Sequence, residues 1–251
     1  MKALAIGVCV LATAAAGWAG SKDMQISGAV NAGYTHTQSD GEGVNGFGGG
    51  GAVLVSLSNP GVNFQLSGGG NRTSASGVDV DTWVADADVF WRDRKGAIGA
   101  SVAYGSADVF GLSADVTGYG VFGEWYASRW MTLRFNGGGF SGDLKGWYGG
   151  GGGEFYLFKN AAIDVEFDYL HPTSSSLSDL KTAGLGVEYL FSESLPISLR
   201  LSYDHAWSTG VDANSFGIAL RYRIGAGGAL VDIDRTGPAR WNAMPAMMRA
   251  W

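Results

Sequence analysis

Asp164, Glu166 and Asp168 stand at alternate positions, interleaved with Ile163, Val165, Phe167 and Tyr169. In an extended chain successive side chains point to opposite faces, so the three carboxylates share one face and the apolar residues the other. Arg221 and Arg223 repeat the arrangement with the opposite sign, alternating with Leu220, Tyr222 and Ile224. The same polar parity carries Asp86, Asp88, Glu124, Glu154, Glu188 and Asp204 among the acids, and Arg134 and Arg200 among the bases. Acids and bases set on opposing walls of a water-filled space would make a transverse field that orients and selects permeating ions. Set against one another, they would make salt bridges that brace the space and plug it. These charged residues are the candidate lining of a pore, and both arrangements remain open at this point.

Other groups fit chemistry less well. His36, His171 and His205 fall on the apolar parity, and Ser39, Ser174 and Ser208 each follow one of them by three residues. A hydrolase would need such a serine beside a histidine, but three residues of loop between them fix no geometry. Polar residues at lipid head-group level are the expected role, and no enzyme activity is expected. Glycines cluster at Gly48–Gly51, Gly68–Gly70, Gly137–Gly139 and Gly149–Gly153. They lack the strand-to-helix setting of a phosphate-binding loop. They fit strand bending, close packing or a smooth, widened path along a wall. Nothing in the pattern calls for a metal or a cofactor.

Twelve alternating segments must position these groups. They run at 24–36, 47–58, 62–70, 80–91, 97–106, 115–127, 131–140, 147–158, 162–171, 182–191, 197–206 and 214–224. Short connections such as Asn59-Pro60-Gly61 and Lys159 to Ala161 alternate with mostly longer ones such as Thr37 to Gly46 and Pro172 to Lys181. An even number of ten-residue strands, joined by short and long connections in turn, is how a transmembrane antiparallel up-and-down β-barrel reads. The fold class is therefore all-β.

Alternation alone also fits a soluble barrel with its apolar face inward. Charge type separates the two. Lys22, Lys95, Lys145, Lys159 and Lys181 all fall at or beyond segment ends. A water-facing surface would carry lysines along its strands. Aromatics gather near segment ends, among them Tyr34, Trp91, Tyr104, Trp125, Phe155, Tyr169, Tyr189, Tyr203 and Tyr222, as in interfacial girdles.

The chain opens with Met1-Lys2, an apolar run from Ala3 to Ala16, and the small-residue end Gly17-Trp18-Ala19. That is the pattern of a signal peptide, 1–19, cut after Ala19. Cleavage would remove Cys9, the single cysteine, and with it any thiol chemistry. It would also remove Lys2, so the mature chain is more acidic than the formal charge of −6 for the whole sequence. An acidic chain with dispersed arginines excludes nucleic acid as a partner.

In its final segment, Ser215-Phe216-Gly217-Ile218-Ala219-Leu220-Arg221-Tyr222-Arg223-Ile224, and in the hairpin from Gly184 to Tyr203, the chain resembles the bacterial outer-membrane β-barrels, both porin-like and OmpA/OmpX-like. The resemblance covers 24–224 as a pattern. It implies a barrel over 20–224 in the outer membrane of a Gram-negative bacterium, with lipid and lipopolysaccharide as its surroundings. The expected function is a narrow porin-like channel for small hydrophilic solutes or ions. The alternative is a closed structural or adhesive barrel acting through its outer loops; an outer-membrane lipid or peptide hydrolase is a third. One feature departs from these families, which end at the last strand. Here 27 more residues follow, 225–251, ending on Trp251. Val231 to Asp234 alternates, but a thirteenth strand would break the even count. A periplasmic tail is expected, with insertion into the barrel as the alternative.

Overall fold

A computed structural model describes residues 24–240 except 40–41, 58–59, 76–77, 110–111, 174–177 and 226. The expected leader, Ser174 and the chain beyond Arg240 lie outside the described residues. Alternation builds twelve strands: β1 (Gln25–Ser39), β2 (Glu42–Ser56), β3 (Gly61–Ala75), β4 (Val78–Arg92), β5 (Gly96–Val109), β6 (Leu112–Ser128), β7 (Met131–Gly142), β8 (Gly146–Phe158), β9 (Ala161–Pro172), β10 (Leu180–Leu190), β11 (Ile197–Ser208) and β12 (Val211–Ile224). One helix follows, α1 (Leu230–Thr236). Each strand pairs with its neighbours in sequence, and β12 pairs antiparallel with β1, so the sheet closes into a barrel with no free edge.

Parity sets the facing. Val165 and Phe167 are exposed on the outer surface, whereas Asp164 and Asp168 are buried inside. The same division runs round the barrel. Phe64, Val102, Val121, Phe135, Leu185, Leu201 and Ile218 are exposed, and the buried polar residues include Gln65, Asp86, Glu124, Arg134, Glu154, Glu188 and Arg223. A continuous apolar belt around a polar interior suits hydrocarbon outside and water or ion pairs inside.

The expected long connections are mostly absent. β1 and β2 pair as far as Ser39 and Glu42, so most of the stretch from Thr37 to Gly46 is strand. Only the connection after Pro172 stays long, because β10 begins at Leu180. The reason is physical: beyond the apolar belt both faces meet water, so Gln38, Ser39 and Gly43 keep pairing without an apolar alternation to mark them. The glycine clusters lie in mid-strand. Gly49, Gly50 and Gly51 oppose Gly70, Gly69 and Gly68 across β2 and β3, and Gly137 opposes Gly149 across β7 and β8.

One glycine has a specific duty. Arg200 on β11 pairs with Asp164 on β9, reaching over Gly186 of the intervening β10. A Cβ at Gly186 would lie 2.5 Å from Arg200 Nη2 and 2.6 Å from Asp164 Oδ1. Gly186→Val is therefore expected to separate the pair. The expected loss is about 3 kcal/mol, because a buried charge is left without its partner. Urea titration of the refolded barrel measures this, and a loss below about 1 kcal/mol would show the bridge to be dispensable.

Candidate functional site: the lumen and its inserted tail

The described part of the tail, 227–240, lies against the inside of the barrel, where the sequence reading favoured a periplasmic extension and kept insertion as the alternative. After β12 the chain reverses through Gly225 and Gly228, both at positive φ (73° and 107°), which favours glycine. It then enters the lumen from the end that holds Gln25 and Ile224, the end this class of barrel turns to the periplasm. The Leu230 N–H donates to Lys159 O at 2.6 Å, anchoring the start of α1 to the β8–β9 turn. Leu230 and Ile233 are buried with Tyr156, Ala162 and Leu190. Their spacing, with Asp234 buried beside them, is helical rather than alternating. Residues 230–236 are thus held by apolar burial as well as by charge.

In the last turn of α1, Arg235 donates to Met131 O at 3.0 Å and Thr132 Oγ1 at 3.2 Å, and lies over the Tyr126 ring. Beyond α1 the chain crosses to the far wall. Arg92 donates to Gly237 O at 2.6 Å. Gln65 grips Ala239 from both sides: the Ala239 N–H donates to Oε1 at 2.7 Å, and Nε2 donates to Ala239 O at 3.0 Å. Ala239 is buried with Leu54, Phe90, Ala97 and Phe122. Arg240 then lies 3.0 Å from Glu154, 2.9 Å from Glu188 and 3.1 Å from Asp234.

The candidate lining residues all belong to the inward face, but they do not form two opposing walls. Arg134 bridges Glu124 and Glu154. Arg221 and Arg223 both meet Glu188, and Arg223 also meets Asp234 at 2.9 Å. Asp86 accepts from Ser67 at 2.6 Å, and Asp88 from Gln65 at 2.9 Å. Asp168 is buried and Glu166 half-buried on β9. Asp204 is exposed to the lumen opposite Gly184. Sequence reasoning missed Arg92, Gln65, Asp234, Arg235 and Arg240. Arg92 was detectable, since it shares the parity of Asp86 and Asp88 and lies 3.8 Å from Glu124. The tail residues carry no strand parity; the signal for insertion was their arginines, Arg235 and Arg240, beside an acidic lumen.

The lumen is filled unevenly. Toward the hairpin end, Ala103, Val116, Phe140, Tyr148 and Leu170 pack together inside the wall from β5 to β9. On the other side a cavity of mixed lining remains between the tail and the wall from β1 to β4, with Asn31, Gly50, Gly69, Val84, Asp86 and Arg221 among its lining residues. A second cavity opens at the terminal end, lined by Asn63, Arg92, Tyr126, Arg235 and Thr236. Gln65 and Ala239 line the first cavity. Asn63, on the second, is two residues along the same strand.

The three histidines form a repeated outer motif. His36, His171 and His205 place Nδ1 2.8, 2.7 and 3.0 Å from Asn45, Asp179 and Asn214. The tyrosine two residues before each histidine donates to the same side chain: Tyr34, Tyr169 and Tyr203. Those hydrogen bonds, first that of Tyr169, hold the Asp179 carboxyl below its ordinary range. Ser39 donates to Asp212 O and not to a histidine. Aromatic rings with a polar tip suit the head-group interface.

No protein-family model and no curated protein matches the sequence. Solved structures do match. The KdgM porin in complex with disordered oligogalacturonate is similar at a TM-score of 0.54 and 13% identity, over 76% of this chain and 98% of that one. The COG4313 outer-membrane channel from Pseudomonas putida F1 gives 0.57 and 11%, over 79% and 94%. The β domain of the Bordetella autotransporter BrkA gives 0.50 and 11%, over 80% and 99%. At these identities the likeness concerns fold. The chain has the fold of the bacterial outer-membrane β-barrels. With its apolar belt, that fold places it in the outer membrane.

Proposed function

We propose that the chain forms a narrow channel for small hydrophilic solutes or ions across the outer membrane. The observation that carries this reading is the cavity beside the glycine wall. Its lining sets the Asn31 amide, the Asp86 carboxylate and the Arg221 and Arg240 guanidiniums among aliphatic groups such as Val30 and Val84, and the paired glycines of β2 and β3 put no side chain into the space. A lumen filled for stability alone would close that side as β5 to β9 close theirs. The likeness to porins and channels supports the reading through the fold only. Lipid and lipopolysaccharide are the partners of the outer belt.

Inward-facing carboxylates outnumber inward-facing arginines, so the channel is expected to prefer cations. Replacing both Arg221 and Arg223 by glutamine should shift the reversal potential in a salt gradient further toward cations. Planar-bilayer recording checks this, and an unchanged reversal potential would remove both residues from the conducting path. The closed structural barrel is the second reading, and the tail lying across the lumen favours it. The short connection from Ser208 to Val211 speaks against an adhesive role through outer loops.

A further inference from the structure

We propose that residues 230–240 are a resident plug, that Arg240 is its latch, and that releasing the latch opens the pore. The inference rests on the channel reading above. The plug has two unequal parts. α1 is seated on the wall by Leu230 and Ile233 in an apolar cluster. The crossing piece, Gly237 to Arg240, has small side chains until its last residue. It is fixed by Arg92 at Gly237, by Gln65 at Ala239 and by the Arg240 guanidinium. That piece lines the first cavity, and Arg235 and Thr236 just before it line the second. Moving this stretch would join the two into one path along β1 to β4.

The latch can leave without stranding charge. Removing one partner of a buried ion pair is costly when the other is left uncompensated. Here each carboxylate that holds Arg240 has another guanidinium. Glu154 keeps Arg134, Glu188 keeps Arg221 and Arg223, and Asp234 keeps Arg223. The wall and α1 are therefore still paired with the crossing piece withdrawn, while Arg240 gains water on leaving. A segment serving only to brace the barrel would have no need of this redundancy. Its departure would leave buried carboxylates bare.

The test uses the full chain refolded into detergent and lipid, with Arg240→Gln, Arg240→Lys and deletion of 226–251. Single-channel conductance is expected to rise about threefold or more in Arg240→Gln and in the deletion, and to stay nearer the parent in Arg240→Lys. A second readout covers a deletion that fails to assemble. Ala239→Cys, alone and combined with Arg240→Gln, is treated with a maleimide, and the label is located by peptide mass. Labelling at position 239 should be slow alone and about tenfold faster in the combination, because local opening exposes it. Equal conductance in parent and Arg240→Gln, together with equal labelling, overturns the latch while a conducting parent upholds the channel. No conductance in any folded form, with faster labelling in the combination, overturns the channel and upholds the latch.

Discussion

Replacing Glu188 by glutamine should destabilise the barrel by about 3–5 kcal/mol, the cost of leaving buried charges without their partner. Glu188 is wholly buried on β10 and accepts from Ser198 at 2.5 Å, Arg223 at 2.6 Å, Arg240 at 2.9 Å and Arg221 at 3.2 Å. The neutral amide keeps the volume but leaves three guanidiniums sharing fewer carboxylates. The contrast is a triple variant in which Glu188, Arg221 and Arg223 all become leucine or methionine. Apolar replacement of a whole buried network is often neutral, so this variant should recover most of the loss. Urea unfolding in lipid, followed by the mobility difference between folded and unfolded barrel on a gel, measures both. A loss under about 1 kcal/mol for the single change would mean the network is hydrated and weak.

The second large effect lies on the other face. Phe167 is exposed on the outer surface at mid-strand of β9, opposite Ala183 of β10. An arginine there meets hydrocarbon, and Phe167→Arg should cost roughly 2–4 kcal/mol. Glu166→Arg, one residue away, turns into the lumen beside Asp164 and Asp168 and should cost much less. Equal costs at the two positions would contradict the facing of the strand and with it the membrane belt.

Both results depend on parity, and parity was legible in the sequence. Ile163, Val165 and Phe167 against Asp164, Glu166 and Asp168 fixed which side of β9 met lipid, because period two has only two solutions and one of them buries carboxylates in hydrocarbon. Strand ends were less legible. Gln38 and Ser39 belong to β1 through backbone pairing with Gly43 and Glu42, and backbone pairing leaves no trace in residue type. The pairing partners of the charges were also hidden. Arg200 reaches past a neighbouring strand to Asp164, a choice made by the space over Gly186 and not by sequence distance. The place of residues 230–240 was hidden for a related reason. Val231 to Asp234 alternates over four residues, too few to separate strand from helix, and Leu230, Ile233 and Asp234 show the helical face only once their neighbours in the barrel are known.

The seat of the tail is assembled from distant parts of the chain. Gln65 lies 174 residues before Ala239, and Thr132 lies 103 before Arg235. Contacts of such separation form late, since the loops between them must close first. The grip of Gln65, the ion pairs with Glu154 and Glu188 and the apolar cup around Ile233 share one chamber only when β12 has met β1. A barrel that closed one strand short, or with a slipped seam, would present the last segment with no such chamber. Docking of residues 230–240 therefore inspects the finished cylinder. Failure of residues 230–240 to dock would mark a barrel that closed wrongly.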